Sequence, residues 1–310
     1  MKITIVFPGQ GTQYVGMGKD FIDTHFFERA NEATGYDLKE IMLEGPAETL
    51  KLTENTQPAI VAHSLMLFEQ LKPILAAKEV SVERVLGHSV GEYAALAAAG
   101  VLTYEDAVRA VHFRGKFMQD AAPAGKGTMY AILKQTEENI LEACSAASTD
   151  LEKVSPANFN EPSQIVISGD KAACERAIKY LEEKTAARVK AIELQVSAPF
   201  HCSLMKPAEL KLKEVLDKVT FKKNRFPYVA NIDAKTYSPE TSAETIKENL
   251  LKQVCGSVLW TQSIQQISED NIIIECGPGK VLAGLIKKIN PNLKVISLDS
   301  ETGFSEVEAL

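Results

Sequence analysis

Two phosphate-binding signatures are missing from this sequence. There is no G-x-x-x-x-G-K-[ST] run and no G-x-G-x-x-G opening a helix, so neither Gly9-Gln10-Gly11 nor Gly277-Pro278-Gly279-Lys280 reads as a nucleotide cradle. CxxC pairs are absent too. The five cysteines, Cys144, Cys174, Cys202, Cys255 and Cys276, are scattered without metal spacing. That pattern excludes a disulfide framework or zinc ribbon and predicts buried, reduced thiols in a cytoplasmic protein. Long apolar runs are also lacking: no stretch is expected to reach the ~18 residues of a membrane helix. Ile3–Phe7 is too short for a secretory segment, and Pro8-Gly9 stops it. With a net charge of −7 there is no basic excess, which argues against a general nucleic-acid binder. Repeats and low-complexity tracts are not found.

What is present is the makeup of a globular protein able to bury a large core: 310 residues, 45% hydrophobic and 24% charged. Short apolar runs alternate with helical patterns, the rhythm of an α/β protein. The strand at Ile3–Phe7 is followed by helical stretches at Gly18–Asn31 and Pro58–Leu75. Next come a strand at Arg84–Gly87, an alanine-rich helix through Ala99, and a helix capped by Thr103 with Asp106 three residues on. The middle of the chain reads β-α-β-β-α-β: Gly127–Lys134, Glu137–Ala147, Val154–Phe159, Gln164–Ser168, Lys171–Thr185 and Arg188–Val196. This is the order of a ferredoxin-like unit, with Glu161-Pro162-Ser163 as its hairpin turn. We therefore expect a small subdomain (125–196) inserted into a large α/β subdomain (1–124 and 197–310). Strands at Pro227–Ile232 and Ile272–Glu275 and a helix from Lys280 complete the larger part.

Gly87-His88-Ser89-Val90-Gly91 is G-x-S-x-G between a predicted strand and a predicted helix, the context of a nucleophile elbow. The helix that follows would aim free N–H groups at whatever Ser89 attacks. A nucleophilic serine needs a base, and there are five histidines. His25 and His112 fall inside helical patterns, and His63 sits on an apolar helix. His88 should point away from its neighbour Ser89. His201 lies in a loop just where the chain leaves the small subdomain, which makes it the best candidate by position.

The helix from Thr103 puts Ala107, Ala110, Val111, Arg114 and Met118 on one stripe, so Arg114 falls on the apolar face. One reading is an arginine snorkelling at the stripe's edge or paired with an internal carboxylate. The other is a bidentate fork for a substrate carboxylate. Lys222-Lys223-Asn224-Arg225 and Lys287-Lys288 read as solvated faces; an acidic protein partner would dock on such patches.

Taken together, Phe7-Pro8-Gly9-Gln10-Gly11, Gln57-Pro58-Ala59, Gly87-His88-Ser89-Val90-Gly91-Glu92-Tyr93, Arg114-Gly115-Lys116-Phe117-Met118, Asn158-Phe159-Asn160, His201-Cys202-Ser203-Leu204-Met205 and Glu275-Cys276-Gly277-Pro278-Gly279 resemble the malonyl-CoA:acyl carrier protein transacylase family, in order and over nearly the whole chain. The resemblance implies an α/β-hydrolase-like large subdomain carrying a ferredoxin-like insertion. It makes Ser89 the acyl-accepting nucleophile and His201 its base, with the backbone N–H groups of Gln10 and Val90 as the oxyanion hole. It gives Arg114 the malonyl carboxylate and Gln253 a backbone carbonyl that orients the histidine. Asn160 falls near the thioester. The implied substrate is malonyl-CoA and the implied partner acyl carrier protein with its phosphopantetheine. No bound cofactor or metal is implied, and a monomer is expected.

Three departures stand out. Val90 replaces a common leucine, and Gln253–Trp260 lacks the usual proline and arginine. Phe200 stands where serine is usual in fatty acid synthesis and is similar to malonyl-selective polyketide acyltransferases. A ring beside the base should disfavour methylmalonyl. The alternatives are a discrete polyketide malonyl acyltransferase and, more remotely, a serine thioesterase or esterase, whose histidine commonly lies near the C-terminus.

Overall fold

The computed structural model describes residues 2–21, 24–123 and 125–310. Ile22 and Asp23 of the predicted Gly18–Asn31 helix, and Ala124 of the link between the expected subdomains, lie outside the described residues.

Among the described residues, the strands are β1 (Lys2–Phe7), β2 (Ser81–Gly87), β3 (Gly127–Leu133), β4 (Val154–Glu161), β5 (Gln164–Asp170), β6 (Lys190–Glu193), β7 (Tyr228–Val229), β8 (Thr236–Tyr237), β9 (Asn271–Glu275) and β10 (Lys294–Ser297). They form two sheets in a mixed α/β structure. One has the order β10-β9-β1-β2-β7-β8, parallel except for the β7–β8 hairpin. The other, β4-β5-β3-β6, is antiparallel throughout. The first sheet is buried on both faces, as parallel sheets are: Ile3, Ile5, Val6, Phe7, Val85, Leu86, Ile273 and Ile274 are all within 1% of full burial.

Its register builds the site. Phe7 pairs with Gly87, and Val6 pairs with Glu275, so β9, β1 and β2 end side by side. The loops Cys276–Gly279, Pro8–Gly11 and His88–Val90 leave from those adjoining carboxyl ends, where open α/β sheets place their ligands. Asn231, two residues past β7, joins them.

Two helices depart from expectation: the Gly18–Asn31 stretch gives a 3-10 turn Lys19–Phe21 and a helix Thr24–Thr34, and the next differs in both length and character. The predicted Pro58–Leu75 stretch runs from Thr53 to Ala77 and, by length and composition alone, is long and apolar enough to cross a membrane. This corrects the expectation that no stretch reaches that length: Gln57, His63 and Ser64 interrupt the apolar run without ending the helix. Here it is the central core helix, buried almost continuously from Thr53 to Phe68. The helix Tyr104–Asp120 packs across it, capped by Thr103 Oγ1 accepting from Asp106 N at 3.1 Å. A side chain at Gly115 would come within 2.4 Å of Thr53 O, so the two helices touch backbone to backbone beside Arg114.

Lys222, Lys223, Arg225, Lys287 and Lys288 are all exposed, as solvated faces should be, and several make surface contacts. Lys287 Nζ reaches the carbonyls of Leu293 (2.5 Å) and Pro291 (3.3 Å), and Lys288 pairs with Glu161 at 3.5 Å. Lys223 pairs with Glu240, and the Asn224 amide ties the 222–225 stretch to Phe226 O and Ser238 O.

Candidate active site

Ser89 sits at φ +52°, in the left-handed region that an L-residue occupies only at a cost of about 1–3 kcal/mol. The flanking glycines make the turn possible. A side chain at Gly87 would lie 2.0 Å from the Gly91 carbonyl carbon, and one at Gly91 would lie 2.2 Å from Phe7 O. No other residue allows the strand, the turn and the helix Gly91–Ala98 to pass this closely. Asn231 then fastens the elbow: its Oδ1 accepts from Ser89 N at 2.7 Å and its Nδ2 donates to Gly87 O at 2.6 Å.

His201 Nε2 lies 2.8 Å from Ser89 Oγ. His201 Nδ1 faces two backbone carbonyls, Gln253 O at 2.9 Å and Gly256 O at 3.1 Å. Carbonyls only accept, so Nδ1 carries the proton and Nε2 is left as the acceptor for the Ser89 hydroxyl. The absence of the usual proline and arginine near Trp260 does not remove this support, because Gln253 belongs to a regular helix, Ala243–Cys255. Burial, reinforced by the positive charge of Arg114, pushes the His201 pKa down to about 3.

His201 therefore remains a neutral base far into acid. We expect its imidazole NMR resonances to keep the Nδ1-protonated neutral pattern from pH 8 to pH 5; a titration midpoint near 6.5 would contradict this. The linkage has a definite sign. Below about pH 6.5 the unfolded imidazole takes up a proton that the folded one refuses. The stability that His201 contributes is thus complete above that pH and is lost as pH falls towards about 3.

The other histidines are placed elsewhere. His63 is buried in the core 3.7 Å from Asp299 Oδ1, and His112 Nδ1 is 3.2 Å from Glu54 O. His25 is exposed on the helix Thr24–Thr34. His88 Nε2 is 2.8 Å from Asn160 Oδ1, which ties the elbow to β4, while its ring meets Trp260 edge-on.

Arg114 is 1% exposed, which excludes snorkelling. Its Nη1 donates to Gln57 Oε1 at 2.7 Å, and Nη2 donates to Gln253 Oε1 at 2.9 Å and to Ser89 Oγ at 3.2 Å. None of these partners is a carboxylate. A buried guanidinium hydrogen-bonded only to neutral groups, with the Glu92 carboxylate acting on it from behind Gln253, has no anion in direct contact and gains most from one that meets it. Its longest bond is the one facing Ser89, which leaves that side of the fork open to an anionic group on the serine.

Among the described residues no backbone acceptor takes the Gln10 or Val90 N–H, and both residues line the cleft above Ser89. Gly9 packs against the elbow so closely that a side chain there would lie 2.6 Å from His88 O. The Gln10 side chain reaches Thr53 Oγ1 (3.2 Å), which in turn meets Ser197 Oγ (2.6 Å). Gly277 supports the same loop from behind, with room for no side chain beside Pro8.

The cleft, about 230 Å³, has Ser89, His201, Arg114, Gln57 and Asn160 on its polar side. Met129, Val166, Leu194 and Val196 from the second sheet's side form its apolar wall, and Phe200, 7% exposed, stands next to His201. Such a site can activate a hydroxyl, stabilise an oxyanion on two N–H groups and hold an acid on the acyl chain. Gln57, Asn231 and Glu92 were not singled out individually from the sequence. Their roles come from contacts across 57 to 161 residues of chain, a range in which local patterns carry no signal.

Comparison with known proteins agrees with this arrangement. Residues 4–292 match the acyl transferase domain family. The chain is 42% identical to the malonyl CoA-acyl carrier protein transacylase of Haemophilus influenzae, over 99% of this chain and 98% of that protein. Its identity to the Bacillus subtilis protein of the same name is 41%, over 97% and 95%. An acyl carrier protein S-malonyltransferase crystal structure from Vibrio cholerae superposes with a TM-score of 0.91 at 39% identity, covering 99% of this chain and all of that one. A type II PKS acyl-carrier protein in complex with its malonyl-transacylase gives a TM-score of 0.91 at 38% identity, covering 100% and 99%. With an elbow serine, a carbonyl-held histidine and a full-length match of this kind, the chain belongs to the acyl transferase domain family.

Proposed function

We propose that this protein moves a malonyl group from malonyl-CoA to the phosphopantetheine thiol of acyl carrier protein, through a malonyl ester on Ser89. One observation carries the reading: a serine–histidine pair 2.8 Å apart stands beside a buried guanidinium whose partners are all neutral. In the first half-reaction Ser89 Oγ attacks the thioester carbonyl while His201 Nε2 takes its proton. The oxyanion rests on the Gln10 and Val90 N–H groups, each such donor contributing about 3 kcal/mol. The collapsing intermediate expels CoA, and His201 returns its proton to the leaving sulfur. In the second half-reaction the carrier's thiol attacks the ester by the reverse route and Ser89 is regenerated. The reaction needs no metal or resident cofactor.

Arg114 would hold the free carboxylate, and Asn160, bonded to His88, would sit near the thioester. Phe200 narrows the space beside His201, which favours malonyl over methylmalonyl. The antiparallel order β4-β5-β3-β6 supports reading 125–196 as a ferredoxin-like small subdomain inserted in an α/β-hydrolase-like large one. The five free cysteines fit a cytoplasmic protein, and a site assembled within one chain is consistent with a monomer. Fatty acid synthesis is the main pathway reading. Phe200 and the similarity to a type II PKS transacylase complex favour polyketide synthesis as the second.

Substitution of Arg114 by Ala tests the assignment of the fork. We expect kcat/KM for malonyl-CoA to fall by about 10²–10³, the effect of losing one partner of a buried ion pair. Acetyl-CoA should lose far less. An unchanged ratio between the two substrates would remove Arg114 from acyl recognition. A thioesterase would instead release free malonate, so the partition between malonyl-carrier and malonate decides that alternative.

A further inference from the structure

Glu92, three residues after the nucleophile, is 1% exposed and takes no part in the reaction described above. Its Oε2 accepts from Gln253 Nε2 at 2.7 Å and from Asn231 N at 3.1 Å. Gln253 is the branching point of the site. Its backbone carbonyl holds His201, its Nε2 also donates to Ser89 O at 2.9 Å, and its Oε1 accepts from Arg114. A carboxamide has two faces that differ only in hydrogen bonding, and its orientation is fixed by Arg114 donating on one side and by Glu92 Oε2 and Ser89 O accepting on the other.

We propose that Glu92 is a positioning residue for acyl selection: by accepting from Gln253 Nε2 it turns the carboxamide oxygen towards Arg114 and so aims the guanidinium at the acyl chain on Ser89. With that acceptor gone, the amide nitrogen loses its shortest anchor and keeps Ser89 O at 2.9 Å and the longer Asn231 Oδ1 at 3.3 Å. It can then present an N–H to Arg114, where donor meets donor and the guanidinium is displaced. Glu92 acts through orientation rather than charge. Burial raises its pKa to about 7 against the hydrogen bonds from Asn231 N and Gln253 Nε2 and the charge of Arg114, with Asp233 pushing it further up and the phenols of Tyr93 and Tyr228 near enough to feel its charge. Protonated or not, the group keeps an acceptor oxygen for Gln253. Its second oxygen, Oε1, has no hydrogen-bond partner among the described residues, so a proton there disturbs no existing bond.

The inference rests on the malonyl-transfer reading, and its test separates the two. Wild type, Glu92→Ala, Glu92→Gln and Gln253→Met are assayed with malonyl-CoA and acetyl-CoA, using holo acyl carrier protein as acceptor. The malonyl-to-acetyl ratio of kcat/KM should fall about tenfold in Glu92→Ala, the effect of one misdirected hydrogen bond to a charged group. Glu92→Gln retains an acceptor oxygen and should keep the ratio within about threefold of wild type. Gln253→Met removes the carboxamide but not the backbone carbonyl, and should reproduce the fall seen in Glu92→Ala. An unchanged ratio in Glu92→Ala or in Gln253→Met overturns the proposal, even if both substrates slow equally. A loss in Glu92→Gln as large as in Glu92→Ala does so too. If Glu92→Ala does not fold, Gln253→Met and Glu92→Gln still decide. Failure of wild type itself to transfer malonyl would instead refute the underlying reading.

Discussion

Replacing Ser89 by Ala should abolish both half-reactions, lowering kcat by at least about 10⁴-fold and leaving no acyl adduct on the protein. Among the described residues the hydroxyl is the only group that both bonds His201 Nε2 and accepts from Arg114 Nη2. A cleft without it has the oxyanion donors and the fork but no atom to receive the acyl group. The substitution should barely change stability. Alanine inherits the same φ of +52°, and the strain there is set by Gly87, Gly91 and Asn231 rather than by the hydroxyl. A thermal midpoint within a few degrees of wild type, together with lost turnover, separates a missing nucleophile from a misfolded elbow. Residual transfer within about tenfold of wild type would mean that another residue carries the acyl group.

His201→Ala should be nearly as severe, with kcat falling by about 10³–10⁴. Its signature is different. Ser89 stays in place but loses its acceptor, so the residual rate should depend on hydroxide and climb with pH up to the alkaline limit of the protein's stability. The wild type, whose base is neutral from moderately acidic pH upwards, should not show that climb. The carbonyls of Gln253 and Gly256 would lose their shared donor, a modest stability penalty that calorimetry would detect. A pH–rate profile parallel to that of wild type would rule out His201 as the base.

Much of this is legible in the amino-acid sequence itself. The elbow was legible because a strand, two glycines and a helix must surround a serine held at positive φ, and all three were visible. The helices Glu137–Ala147 and Lys171–Thr185 have the ends read from sequence. The first is capped by Thr136 on Asn139 N, and the second stops at Ala186 in the left-handed region. Strands were less faithful. Arg188–Val196 shrinks to Lys190–Glu193, an edge strand whose residues are mostly solvated, so no buried face extends its pairing. Pro227–Ile232 shrinks to Tyr228–Val229 because the chain turns at once: Ala230 and Ala234 bond to each other, and Asn231 is drawn to Glu92 and the elbow.

Several elements had no reading, two of which show why. The helix Ala243–Cys255 that carries Gln253 is capped by Ser242 on Thr245 N, a signal available in the sequence. The strand Lys294–Ser297 lies at the sheet's edge, with its pairing given only by β9. The polar network was illegible for a different reason. Gln57, Glu92, Asn231 and the side chain of Gln253 each look like ordinary helix or loop groups, and only tertiary packing brings Gln57 and Gln253 onto Arg114 and Glu92 and Asn231 onto Gln253 and the elbow. Arg114 was the exception, because a charge on an apolar stripe is visible locally even when its partners are not.

The most direct measurement is mass spectrometry of the intact protein after a brief incubation with malonyl-CoA, followed by addition of holo acyl carrier protein. The account predicts a single malonyl adduct that maps to Ser89, and its transfer to the carrier's phosphopantetheine when the carrier is added. Malonate released to water with no acylated carrier, or an adduct on any residue other than Ser89, would contradict it.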